Sequence, residues 1–178
     1  CINDEIYDVW RAEHADFVRN WEDRFNVTHG YRENVQAALD GFLENTGTPL
    51  SDYQRVALYG PDARSLAAVA SAAGVPGEAL QDGLFGRVGN SGAAFTPLLL
   101  AGALENARAG EGLLAVFYGD GAEVLSLRMV ADGVTPERGL DWHLRRGRAL
   151  RSCDRYLASR HLAAGGPDGR GGVGVPAP

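Results

Sequence analysis

Residues 88–123, VGNSGAAFTPLLLAGALENARAGEGLLAVFYGDGAE, decide the fold. The stretch opens on a Gly-Asn-Ser-Gly turn. Residues 91–107 then read as a helix. Phe95, Leu98, Leu99, Gly102 and Leu104 make it apolar almost all round, which predicts a buried helix. Pro97 falls in the opening turns, where a missing N–H is tolerated best. Gly110 and Gly112 frame a turn. Residues 113–118 (LLAVFY) form a nearly continuous apolar run, as expected of a central strand covered on both faces. After Gly119-Asp120-Gly121, residues 122–130 (AEVLSLRMV) alternate like a further strand paired antiparallel to its predecessor.

Upstream, residues 53–59 (YQRVALY) are β-rich and lie between Pro49 and Gly60-Pro61, which predicts a buried strand. Asp62 is placed to cap a helix over residues 63–73 that Gly74 closes. Residues 75–89 carry several Gly and read as loop. Residues 31–46 repeat Val35, Leu39, Phe42 and Leu43 at helical spacing, with Gly47 as the stop. Residues 1–30 scatter Trp10, Phe17, Trp21 and Phe25 among charges and predict an irregular lead-in with one short helix. Downstream, residues 136–162 predict a basic helical extension, and the Gly/Pro-rich residues 163–178 a disordered tail. The body of the domain is therefore expected over residues 31–135. Strands alternating with helices argue for an α/β layered fold. So narrow a sheet needs another half to cover one face.

The chain has 178 residues, of which 45% are apolar and 22% charged, enough for one domain with a real core. Its net charge of −6 leaves no basic excess for phosphate neutralisation, so a general nucleic-acid binder is not expected. The apolar runs are too short and broken for a membrane span. All 17 basic residues are Arg, which removes lysine Schiff-base and P-loop chemistry. Cys1 and Cys153 supply neither a disulfide framework nor a metal knuckle, and the cytoplasm is the expected compartment. The chain starts at Cys1 with no signal-like segment, and sequence upstream of it is expected.

A helix N-terminus carries unpaired N–H groups and partial positive charge. Small residues there let a substrate approach the backbone, and the Asn90 amide can donate to a developing oxyanion. Asn90 can equally be a simple helix cap.

This segment resembles the thiolase superfamily of condensing enzymes, in the C-terminal half of the hydroxymethylglutaryl-CoA synthase and ketoacyl synthase III branch. The matching elements are Gly89-Asn90-Ser91, the small-residue helix from Ala93 to Ala107, Arg108-Ala109-Gly110-Glu111, and the strand from Leu113 to Gly121. Upstream, Asp8-Val9-Trp10-Arg11, Arg24-Phe25 and Tyr31 are similar to a "D-x-W-R … R-F … Y" stretch, and residues 154–160 (DRYLASR) to a "Y-L-x-x-R" stretch. The resemblance implies the C-terminal half of a thiolase-like layered fold, with the 91–107 helix buried between sheets. It implies catalysis by Asn90 and Tyr59, and substrate contacts at Gly89, Ser91, Gly119 and Gly121. It implies no metal and no tightly bound cofactor, with a coenzyme A or phosphopantetheine thioester as substrate.

Two departures shape the expectations. A complete member has two such halves, and its nucleophilic Cys lies in the N-terminal one. Neither Cys1 nor Cys153 has a matching context. A chain carrying the N-terminal half is therefore the expected partner, in a dimer of such pairs, with a small zinc-ribbon/OB-fold accessory protein as a further one. The family's catalytic His belongs to a "F-H-Q-P-N" turn, matched here by Leu58-Tyr59-Gly60-Pro61-Asp62, so that Tyr59 stands in the place of His. Tyr59 can donate a hydrogen bond, but a phenol with its ordinary pKa near 10 is a poor base. The expected function is acyl-thioester C–C bond formation. A non-catalytic scaffold, or a thiolase-like aldolase using Tyr for His, stay open as alternatives.

Other residues weigh less. Asp62 reads as a cap or a base near the thioester, and Asp120 as a turn residue or pocket-former. His14, His29, His143 and His161 have no ligand spacing. Arg145, Arg146, Arg148 and Arg151 read as solvated surface, a subunit contact or a phosphate-binding cluster. A chain starting at Cys1 also allows an N-terminal nucleophile hydrolase, without the strand pattern of that class. Asn90→Asp is expected to keep near-native stability, since Asp also caps helices, and to cut turnover.

Overall fold

A computed structural model describes residues 1–4, 6–15, 17–134, 136–147 and 149–160, and the chain divides into the units Cys1–Leu144 and Arg145–Pro178. The first unit holds strands β1 (Ile2–Asn3), β2 (Val9–Trp10) and β3 (Arg19–Asn20) and the single turn α1 (Asp23–Phe25). A π-helical segment, Asn26–Arg32, runs directly into α2 (Glu33–Thr46). Then come β4 (Arg55–Leu58), α3 (Ala63–Ala72), α4 (Phe95–Glu105), β5 (Gly112–Gly119), β6 (Gly121–Arg128) and α5 (Leu140–Arg145), which ends at the unit boundary. The second unit contributes α6 (Cys153–Ser159).

The main sheet has four strands in the order β1-β6-β5-β4. β4 and β5 are parallel with Leu58 opposite Val116, and β5 and β6 form an antiparallel hairpin with Gly119 opposite Gly121. A further parallel bridge joins Val56 to Leu80 on the outer side of β4. Leu113, Leu114, Ala115 and Val116 are 0% exposed, as a central strand requires. Leu113 groups with Ala103 of α4 and with Ala107 just beyond it, whereas Tyr118 packs on Tyr31 ahead of α2. The alternating side chains of β5 thus meet α4 on one face and the α2 side on the other.

The expected strands and the capped helix after Asp62 are present, with parallel pairing of β4 to β5 added by the structure. Asp62 Oδ1 accepts from the Ser65 N–H at 2.9 Å, and its Oδ2 accepts from Ser65 Oγ at 2.6 Å. These bonds hold the Asp62 carboxyl below its ordinary range, the side-chain bond from Ser65 first. A depressed carboxyl adds stability above its unfolded pKa, about 4, and loses it as pH falls through the folded value. Asp62→Ala is therefore expected to cost about 1 kcal/mol at neutral pH. Thermal melts of both proteins from pH 7 to pH 2 should show that gap closing in acid.

Four expectations need correction. Residues 1–30 are not an irregular lead-in: β1 completes the sheet against β6, and β2 and β3 pair with each other. Two-residue strands carry no periodicity, so only their distant partners reveal them. The helix expected from Tyr31 starts as α2 at Glu33, because Tyr31 belongs to the π-helical segment. The 91–107 helix begins with a 3₁₀ turn, Gly92–Ala94, and buries Phe95, Thr96, Leu99 and Ala103, while Pro97 and Ala101 stay exposed. Its buried side packs on β4 and β5 of the main sheet. Finally, the expected basic extension is not continuous: α5 and α6 are separate short helices. The tail over residues 163–178, Arg148 and His161 lie outside the described residues.

Candidate active site

β4 and β5 run parallel, so their C-terminal ends emerge side by side. Tyr59 follows β4 directly, and its N–H donates to the Val116 carbonyl at 3.0 Å. Its own carbonyl accepts from the Tyr31 hydroxyl at 2.7 Å. The Tyr59 ring packs against Tyr31, Phe95 and Tyr118 at centroid distances of 5.9, 5.5 and 5.5 Å. The residue is half-buried, with its backbone tied on both sides.

Asn90 arrives from the loop ahead of α4. Gly89 has φ +77° and lets the chain turn into it. Asn90 Oδ1 accepts from the Gly92 N–H at 2.7 Å, an Asx turn leading into the 3₁₀ segment. Its Nδ2 donates to the Tyr59 hydroxyl at 3.3 Å and to the Pro61 carbonyl at 3.1 Å. The structure thus brings together the two residues expected to be catalytic. Asn90 is not a cap of α4 itself, which starts at Phe95.

This arrangement has a chemical direction. Asn90 supplies an N–H to the Tyr59 oxygen, and a hydroxyl that accepts one hydrogen bond is polarised to donate another. Tyr59 O–H is then a donor for an oxygen that gains negative charge. Both Asn90 amide hydrogens are engaged, one by the Tyr59 hydroxyl and one by the Pro61 carbonyl.

The remaining residues fall into groups. Ser91 flanks Asn90, and its carbonyl accepts from the Ala94 N–H at 3.2 Å. Gly119 and Gly121 face each other across the β5–β6 turn. Gly121 has φ +116°, and a Cβ there would collide with the Ile2 carbonyl, so it serves the approach of β1. Asp120 lies at that turn, and its carbonyl accepts from the Asp4 N–H at 3.3 Å. Both carboxylate oxygens of Asp62 are engaged by Ser65, as a cap rather than a free base. His29 lies 3.0 Å from Glu33 Oε1, His143 packs on Trp142, and His14 is exposed. Arg145, Arg146 and Arg151 are exposed, as are Cys1 and Cys153, which are both free thiols. Among the described residues no group of three or more His, Cys, Asp or Glu could hold a metal ion, and no helix is long and apolar enough to cross a membrane.

Tyr118 escaped the reading of the sequence. Its hydroxyl donates to Asp8 Oδ1 at 2.8 Å. Burial pushes the Tyr118 phenol up, and its hydrogen bond to Asp8 and that residue's charge push the same way. Burial likewise raises the Tyr31 phenol, with smaller contributions from Tyr59 and Asp62. The Asp8 carboxyl is raised by burial, is partly restored by the bond from Tyr118, and is raised further by Asp120. Only the parallel register, which no local pattern encodes, places Tyr118 next to Tyr59.

No profile of a known protein family matches the chain. Individual relatives do. The hydroxymethylglutaryl-CoA synthase of Methanocaldococcus jannaschii is 34% identical over 116 residues, 65% of this chain and 33% of the relative. That of Pyrococcus furiosus is 27% identical over 132 residues, 74% of this chain and 37% of the relative. The chain spans about a third of the length of these curated relatives. Among solved structures, the 3-oxoacyl-(acyl carrier protein) synthase III of Pseudomonas aeruginosa superposes with a TM-score of 0.58 at 22% identity, over 72% of this chain and 41% of the other. The Aquifex aeolicus enzyme of the same name gives 0.57 at 20% identity, over 68% and 40%. The chain therefore has a thiolase-type α/β fold, and its sequence is similar to the hydroxymethylglutaryl-CoA synthases, as the motifs around Asn90 imply.

Proposed function

We propose that this chain is the C-terminal half of a condensing enzyme that joins two acyl thioesters of coenzyme A or an acyl carrier protein. The nucleophilic Cys comes from the N-terminal half of the fold, either as the rest of a longer polypeptide or as a partner chain. The observation that carries the reading is the Asn90 amide against the Tyr59 hydroxyl at 3.3 Å, at the ends of parallel strands. With the acyl group on the Cys, the second thioester forms an enolate, by losing CO2 from a malonyl unit or a proton to a base of the N-terminal half. The enolate carbon attacks the acyl carbonyl and expels the Cys thiolate. The enolate oxygen gains charge as it forms, and the Tyr59 O–H, supported by Asn90, donates to it. The open side of α4 at Pro97 and Ala101 is an apolar edge that a second half would cover. A dimer of such pairs and a zinc-ribbon/OB-fold accessory protein belong to the same proposal, as does a cytoplasmic location.

Tyr59 in the place of the family's His favours a second reading, C–C cleavage by a thiolase-like aldolase. One experiment separates the readings. The full assembly of this chain with its N-terminal half is incubated with acetyl-CoA and acetoacetyl-CoA or a malonyl thioester, and separately with a β-hydroxyacyl-CoA. Chain-extended thioester is the expected product. Cleavage of the hydroxyacyl thioester alone would install the aldolase reading, and neither product would leave a scaffold.

A further inference from the structure

We propose that Tyr118, anchored by Asp8, is a positioning residue that holds the Tyr59 ring and so aims its hydroxyl; the proposal rests on the reading of Tyr59 as the donor of the site. Tyr59 sits at the end of a strand, and its hydroxyl lies at the far end of a ring that can swing about two torsions. Three rings oppose that swing, with interplanar angles of 64° for Tyr31, 68° for Phe95 and 41° for Tyr118. Phe95 is rooted in α4. Tyr31 is pinned by its hydroxyl to the Tyr59 carbonyl. Tyr118 is rooted in β5, and its hydroxyl is fastened to Asp8 Oδ1 at 2.8 Å. Asp8 is itself held, since its carbonyl accepts from Asn26 Nδ2 at 3.3 Å.

Room for this bond is built into the π-helical segment. Gly30 is buried there, and a Cβ on it would collide with the Tyr118 hydroxyl and lie 2.9 Å from Asp8 Oδ1. A π-helical turn widens the backbone and recurs at functional sites. Here it brings a glycine against the Tyr118–Asp8 pair, and the next residue, Tyr31, against Tyr59. One irregular turn therefore supplies both the clearance for one supporting ring and the body of another.

The test uses the full assembly labelled with 3-fluorotyrosine, with the Tyr59 resonance assigned by its loss in Tyr59→Phe. Tyr118→Phe keeps the ring and removes the hydrogen bond. Asp8→Ala removes the acceptor, and Asp8→Asn restores a neutral one. Misplacement of a reacting group by an ångström costs about 100-fold, so loosening a single support is expected to lower kcat about 10-fold. KM should stay within about twofold, since substrate contacts are retained. The Tyr59 fluorine line should shift and broaden in Tyr118→Phe and Asp8→Ala, and Asp8→Asn should recover most of both losses. An unchanged kcat and an unchanged Tyr59 line in Tyr118→Phe would overturn the proposal, as would an Asp8→Asn as impaired as Asp8→Ala. If Asp8→Ala does not fold, Tyr118→Phe decides alone. If the wild-type assembly neither condenses nor cleaves thioesters, the catalytic reading fails while the fluorine line still decides whether Tyr118 positions Tyr59.

Discussion

Tyr59→Phe is expected to lower turnover of the full assembly at least about 100-fold while leaving the fold intact. Removing one preorganised donor to a developing oxyanion costs about 3 kcal/mol of barrier, on the order of 100-fold in rate. Little else changes in the substitution. The Tyr59 N–H bond to Val116 and the Tyr31 bond to the Tyr59 carbonyl involve the backbone and persist. The ring keeps its three aromatic neighbours. Only the contact with Asn90 Nδ2 disappears, and at 3.3 Å it is long. Thermal melting should therefore move by no more than a few degrees, as expected for about 1 kcal/mol or less. Steady-state kinetics beside a melting curve checks both halves. Wild-type turnover in Tyr59→Phe would make Tyr59 a packing residue and remove the donor from the proposed mechanism.

Asn90→Asp should lower turnover by a similar factor, but with a larger stability cost than the sequence alone suggests. Read as a helix cap, Asn90 looks replaceable by Asp, since both cap well. The structure contradicts that equivalence. An Asp side chain still accepts from the Gly92 N–H, yet it cannot donate to the Pro61 carbonyl or to Tyr59. It sets an anion against a carbonyl oxygen instead. Asn90 is exposed, so solvent softens the penalty, and about 1–2 kcal/mol is the expected loss. In the reaction, the same anion opposes the enolate that the site is to stabilise. Denaturant unfolding and turnover of Asn90→Asp and Asn90→Ala together separate these effects: both lose the donors, and only Asp adds charge. Activity should fall further in Asp than in Ala. Equal activity in all three proteins would show that Asn90 only shapes the turn.

These two residues show where a sequence is legible. The strands over Arg55–Leu58 and Gly112–Gly119 and the capped helix Ala63–Ala72 follow from local signals: an apolar run, a Gly-Pro boundary, an Asp before a helix and a Gly after it. Asn90 stands out by its place before an apolar helix, and both Asn90 and Tyr59 by likeness to family motifs. Nothing in their spacing says that they touch. Their contact follows from the loop ahead of α4 returning to the end of β4, a long-range fact. β1 was illegible for the same reason, since Ile2 and Asn3 become a strand only against Ala122 and Gly121. Tyr118 looked like one more apolar position in a buried strand, and its role depends on Asp8, which reaches it from near the start of the chain. The π-helical turn is hidden because Asn26–Arg32 contains no residue that forbids an ordinary α-helix.

The parallel pairing of β4 with β5 also sets an order of assembly. The β5–β6 hairpin turns on Asp120 between Gly119 and Gly121, a local closure of the kind that completes in about 1–10 μs. β4 can join β5 only after the chain from Gly60 to Glu111, including α3 and α4, has closed on itself, and that entropy must be met before the pairing is rewarded. Asn90 sits on this late-closing arc, and Tyr59 immediately precedes it. The chain therefore reaches a folded hairpin well before it has a site, and local opening that frees β4 dismantles the Tyr59–Asn90 contact while β5 and β6 remain paired.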